Sequence, residues 1–154
     1  MSIYLLALAM GVVAGLRAMT VPAAVSWAAH LGVLRLGGTW LAFLAHAWVS
    51  WALTALAVAE LITDQLPKTP SRTVPVQFGT RIVTGALGGA ALGVGAGSWS
   101  GGALAGAIGA VIGTLGGRAF RAKLAASFHR DLPAALIEDV VAIGGAFLIL
   151  CAER

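Results

Sequence analysis

Charge is what this sequence has least of. Only 10% of its residues are Asp, Glu, Lys or Arg, against about a quarter in an ordinary soluble domain. So few charges cannot coat a water-facing surface for a chain of this size. Cysteine is scarcer still. Cys151 is the only one, which excludes a disulfide framework and a cysteine metal motif. The three histidines, His30, His46 and His129, are isolated from one another. Metal sites need clustered ligands, so neither a metal nor another cofactor is expected. No Gly-rich strand-to-helix turn carries Lys-Ser or Lys-Thr, which excludes a phosphate-cradling loop. No spacing suggests a nucleophile with its base, so no enzyme is expected. The opening MSIYLLALAM lacks the basic stretch of a cleaved signal peptide and reads as the start of a retained helix.

Apolar residues fill the space that charge leaves. The chain is 59% hydrophobic with a mean hydropathy of +0.93. A spanning helix needs about 20 apolar residues, so 154 residues hold five spans at most with short loops. The expectation is an all-α polytopic membrane bundle in one domain, residues 1–154, with the bilayer as its first partner. A net charge of +4 and a pI near 10.2 would ordinarily raise nucleic acid as a partner. Here the basic residues sit at the ends of apolar runs, where topology signals sit, so nucleic acid is set aside.

The first span runs from Ile3 to Arg17. Thr20 and Pro22 then read as the cap and first turn of a short second helix to about Leu34. At about 14 residues it is short for a span. It reads as interfacial or re-entrant, or as the second half of a broken first helix. The next spans are Thr39 to Thr63, Gln77 to Ala96, and Gly102 to Leu115 with a basic extension to Phe128. The last enters at Asp131-Leu132-Pro133 and ends near Cys151. Three prolines keep any helix from crossing residues 64–75.

Lys68, Arg72, Arg81, Arg118, Arg121, Lys123 and Arg130 collect on one side of this topology, and Arg17, Arg35 and Arg154 on the other. The positive-inside rule then places the N-terminus in the cytoplasm and the C-terminus outside. Trp40 and Trp99 fall together at the outer interface. Gly15-Leu16-Arg17-Ala18 echoes Gly116-Gly117-Arg118-Ala119, and in this topology the two spans run in opposite directions, a faint sign of an inverted repeat.

The chain holds 21 glycines, dense between Gly79 and Gly117. Gly85, Gly89 and Gly93 recur every four residues, as do Gly109, Gly113 and Gly117. Small residues on one helix face let membrane helices approach closely. The stripes serve either packing within one chain, an interface of a homo-oligomer, or a glycine-lined path.

The ionisable residues inside apolar runs are Arg17, Glu60, Asp64, Arg81, Arg118, Glu138 and Asp139. Each costs at least about 2.5 kcal/mol at the bilayer centre, so each needs a partner or water. Glu60 and Asp64 share a helix face. Ion pairs such as Glu60 with Arg81, or Glu138 with Arg118, would account for them structurally. A polar cavity would account for them functionally: Glu60, Asp64, Glu138 and Asp139 would bind a cation or relay protons, with Arg17, Arg72 and Arg118 as counter-charges. An anion site built from Arg17, Thr20, Lys68, Ser71 and Arg72 with helix N-termini is the third option.

Three segments carry these residues: GLRAMTVPAA from Gly15, ELITDQLPKTPSRT from Glu60, and DLPAALIED from Asp131. Together they resemble a family of small bacterial integral membrane proteins known only as a domain of unknown function. The resemblance covers nearly the whole chain and implies an inner-membrane protein, with no activity, substrate or catalytic residue attached. Two functions follow as expectations. One is a transporter or channel for a small ion or solute. The other is a non-transporting scaffold or assembly protein whose charges are structural pairs. A membrane enzyme acting on lipid head groups ranks lowest.

Overall fold

The computed structural model describes residues 2–64, 74–128 and 131–153, the side chain of Asp131 excepted. Among them are six α-helices and no strand. They are α1 (Ile3–Leu16), α2 (Thr20–His30), α3 (Ala47–Thr63), α4 (Pro75–Gly95), α5 (Trp99–Phe128) and α6 (Asp131–Ala152). A 3-10 turn, Ala42–Ala45, precedes α3.

Helix direction follows from which backbones touch. A Cβ added at Gly11 would overlap the carbonyl of Gly106, and one at Gly15 would meet Ala110 and Thr114. Residue numbers rise together, so α1 and α5 run parallel. Gly85 faces Gly106, Gly89 faces Gly102 and Gly93 faces Ser98, so α4 runs antiparallel to both. Ser26 bonds Ser50, while the Ala18 and Met19 amides bond Glu60, so α2 runs antiparallel to α3. The six helices therefore alternate in direction. One end of the bundle gathers Trp40, Trp48, Trp51 and Trp99, with Trp40 and Trp99 in an edge contact at 5.9 Å. The other end gathers Arg17, Asp64, Arg81, Arg121 and Asp139.

This arrangement corrects the sequence reading in three places. Arg17 lies with Arg81 and Arg121, not across from them, which removes the basis for a cytoplasmic N-terminus. The short helix is neither interfacial nor a continuation of α1. Arg17 takes an extended conformation (φ −140°, ψ 109°), the chain reverses, and α2 returns with most of its residues buried. The Gly-Arg-Ala echo joins two parallel helices, so it is no inverted repeat.

Two helices, α5 and α6, are long and apolar enough to cross a membrane. Five such helices were expected. The reversal at Arg17 stops α1 at 14 residues. The 3-10 turn and the extended His46 cut the expected 39–63 span to the 17 residues of α3. In α4, Gln77, Thr80, Arg81 and Thr84 fall inside 21 residues and lower its hydropathy.

Glycine makes the core. α5 is the shared partner of α1 and α4, and its Gly102, Gly106, Gly109 and Gly113 each sit on a neighbouring backbone. Larger side chains divide: Leu6, Met10, Leu36, Leu41, Leu44 and Leu92 fill the interior beside the glycines, whereas Trp48, Val76, Val83, Leu104, Val140, Phe147 and Leu148 are exposed. Gly106→Ala is therefore expected to destabilise by about 1–3 kcal/mol, the usual cost of overpacking. Gly79→Ala, with nothing within 4 Å of the new Cβ, should gain about 0.5–1 kcal/mol from helix propensity. Unfolding midpoints in detergent check both, and equal midpoints for the two variants would contradict the packing described.

Candidate functional site

The reversal between α1 and α2 leaves backbone groups bare in the middle of the bundle. The last carbonyls of α1 and the first amides of α2 have no helical partner. Two charged side chains from neighbouring helices supply them. Arg81 Nη1 donates to the carbonyls of Gly15 and Leu16, both at 2.7 Å. Glu60 accepts from the amides of Ala18 and Met19, both at 2.8 Å. Charge signs match the helix dipoles: a cation at a C-terminus, an anion at an N-terminus. Glu60 and Arg81 also approach each other at 3.8 Å, the expected ion pair. Thr20, expected to cap α2, makes no side-chain cap bond, because it is the first residue inside the helix: Met19 holds the N-cap position, Pro22 has no amide hydrogen and the Ala23 amide is taken by the Met19 carbonyl.

Arg17, at the reversal itself, is fully buried. Its Nη1 pairs with Asp64 at the end of α3, and its Nη2 with Asp139 on α6. Arg81 reaches Asp64 at 3.9 Å from the other side. Arg121, on α5, donates to the Asp64 carbonyl at 3.3 Å and pairs with Glu138 at 3.7 Å. Glu138 and Asp139 are both buried. Seven ionisable side chains, three arginines and four carboxylates, thus converge from α3, α4, α5, α6 and the α1–α2 turn.

Of the residues singled out from sequence, Arg17, Glu60, Asp64, Glu138 and Asp139 meet in this cluster. Thr20 is buried nearby but lines a separate apolar groove. Arg118 does not join: it is exposed on α5, and Arg121, one turn on, takes the place expected for it beside Glu138. The spacing of both arginines from Gly116 left either able to face α6, so only packing decides. Ser71, Arg72 and Lys68 lie outside the described residues. Arg81 was legible as a costly charge but not as a helix cap, since that role exists only once the chain reverses. Among the described residues no group of three His, Cys, Asp or Glu is placed to hold a metal ion.

No protein-family profile, curated protein or solved structure matches the chain.

Removing one member of a buried pair leaves the other charge uncompensated, at a cost of about 3–5 kcal/mol. Glu60→Ala should approach that figure, because it also strips two amides. Glu60→Gln keeps an acceptor and should cost less, and Arg118→Ala should stay within about 0.5 kcal/mol. Thermal unfolding in detergent ranks the three, and an Arg118 variant as damaged as Glu60→Ala would contradict the site.

Proposed function

We propose that this chain is a multi-pass protein of the bacterial inner membrane that moves a small ion or solute, with the charge cluster as its working element. The resemblance noted in the sequence, to small bacterial integral membrane proteins, is part of this reading. One observation carries it: three arginines and four carboxylates meet inside the bundle, while large apolar side chains such as Trp48, Val83, Leu104, Val140, Phe147 and Leu148 cover much of its outside. A water-facing protein has no use for that distribution. Glycine and alanine already pack the helices, so packing alone asks for no buried charge. In a membrane, ionisable groups inside the bundle are costly and mark ion or proton routes by default.

In this reading the charged end faces the cytoplasm, because Arg17, Arg81, Arg118, Arg121 and Lys123 all lie there. Both termini then face the opposite side. α1 to α4 cross as part of the bundle despite their length or polarity, because neighbouring helices shield them. The side chains divide by role. Glu60 and Arg81 hold the reversal. Asp64, Glu138 and Asp139 are the carboxylates that take a cation or proton, and Arg17 and Arg121 are their counter-charges. A homo-oligomer would use the bulky outer faces, because the glycine stripes of α4 and α5 are occupied within the chain.

A second reading rests on the caps. Glu60 and Arg81 have a complete structural task, and Arg17 ties α3 to α6. The same cluster then serves a non-transporting scaffold.

Glu138→Gln separates the two. In proteoliposomes loaded with a pH-sensitive dye under a potassium or sodium gradient, transport predicts at least a tenfold loss of ion-driven pH change, with the unfolding midpoint held. Unchanged flux in the well-folded variant sinks the transport reading. A lowered midpoint with no wild-type flux under any gradient supports the scaffold.

A further inference from the structure

Two guanidinium groups serve three carboxylates where α3, α4 and α6 meet the α1–α2 turn. Glu60 is the best held of the three, with two backbone amides at 2.8 Å and Arg81 at 3.8 Å. Asp64 has two guanidinium neighbours, Arg17 and, at 3.9 Å, Arg81. Asp139 has Arg17 only, and shares it with Asp64. Its Oδ1 lies beside Arg17 Nη2 without an aligned hydrogen bond, and no other donor among the described residues reaches its carboxylate. Yet Asp139 is only 7% exposed. The other ionisable groups at this end are engaged or turned away. Arg121 and Glu138 pair with each other, and Arg118 and Lys123 are exposed on α5. α1 and α2 bring no further charge here, since Tyr4 and His30 lie at the tryptophan end.

We propose that Asp139 binds one exchangeable proton, which names the proton as the ion of the transport reading. The inference deepens that reading and rests on it for its membrane setting. Two carboxylates beside one guanidinium leave a negative charge over, and a buried charge left over is neutralised by taking up a proton. The proton belongs to the Asp64–Asp139 pair as a unit. Asp139 is its seat, because Asp64 keeps a second guanidinium. The step needs no co-reactant: water gives up a proton, the carboxylate becomes a carboxyl, and the reverse step returns the proton to water. A metal cation fits this place less well. The Arg17 guanidinium already lies between the two carboxylates. A hard divalent cation takes about six or more oxygen ligands, and among the described residues no three His, Cys, Asp or Glu side chains are placed to hold a metal ion.

The experiment uses the full chain in lipid nanodiscs. Difference infrared spectra between alkaline and mildly acidic buffer record the carbonyl stretch of each carboxyl that gains a proton. Ordinary carboxyls titrate near about 4 and stay ionised over that range. The expected wild-type result is a carboxyl band that Asp139→Asn abolishes. Asp64→Asn should abolish it too, because Arg17 then serves Asp139 alone. Any band from Glu153, at the tryptophan end, persists in every variant and cancels. A band that survives either substitution unchanged overturns the assignment, as does a wild-type spectrum in which the variants remove nothing. If the variants fail to fold, the wild type decides alone. An apolar carbodiimide attacks protonated carboxyls, and peptide mass mapping should find Asp139 modified at least fivefold more than Glu60, Asp64 or Glu138. Equal modification of the four, or none at Asp139, overturns the site. Sodium or potassium flux in proteoliposomes from a protein without the Asp139 band defeats this inference and leaves the transport reading standing. An Asp139 proton in a protein that passes no ion under any gradient defeats the transport reading and leaves the proton site standing.

Discussion

Everything at the charged end depends on the backbone between Gly15 and Met19. A chain that turns back in the interior of a bundle exposes carbonyls on one side and amides on the other. Where the exterior is apolar, water cannot serve them, and an unmet backbone group costs several kcal/mol. The answer here is to bring one cation and one anion from the flanking helices. Arg81 takes the carbonyls and Glu60 the amides, and each charge is partly offset by the other at 3.8 Å. The reversal thus fixes where α3 and α4 must lie before any apolar contact is counted.

The rest of the interior divides by side-chain size. Glycine and alanine let α1, α4 and α5 meet backbone to backbone, leaving no room for a polar passage between those three. The opposite half, α2, α3 and α6, is looser and carries the groove. Charge is the connection between halves. Arg17 and Arg121 reach from the tight side to Asp64, Glu138 and Asp139 on the loose side.

Much of this was legible residue by residue. Arg17, Glu60, Asp64, Glu138 and Asp139 stood out because a charge in an apolar run is costly wherever it sits, and the structure gathers all five. Helix ends were readable near Pro75, where prolines stop any helix from crossing the loop, and at Asp131-Leu132-Pro133, where the last helix begins. The reversal was not readable. Arg17-Ala18-Met19 holds neither glycine nor proline, and its conformation is imposed by Glu60 and Arg81 from far along the chain. Missing it put Arg17 at the wrong end of the bundle. The choice of Arg121 over Arg118 was equally closed to inspection, because one helical turn separates two arginines of the same charge and reach.

The alternation of six helices also brings the two ends of the chain back to one place. Tyr4, near the start, lies against Gly101, and Glu153, near the finish, lies against Gly95. They flank the same α4–α5 turn. The polypeptide is close to a ring that lacks one short join. A circular permutant closed there by a brief linker, and reopened among residues 65–73, would keep every helix partner and every ion pair described. In such a molecule α4, not α1, leads the chain, so the order in which helices emerge during synthesis becomes a variable separate from the fold they reach.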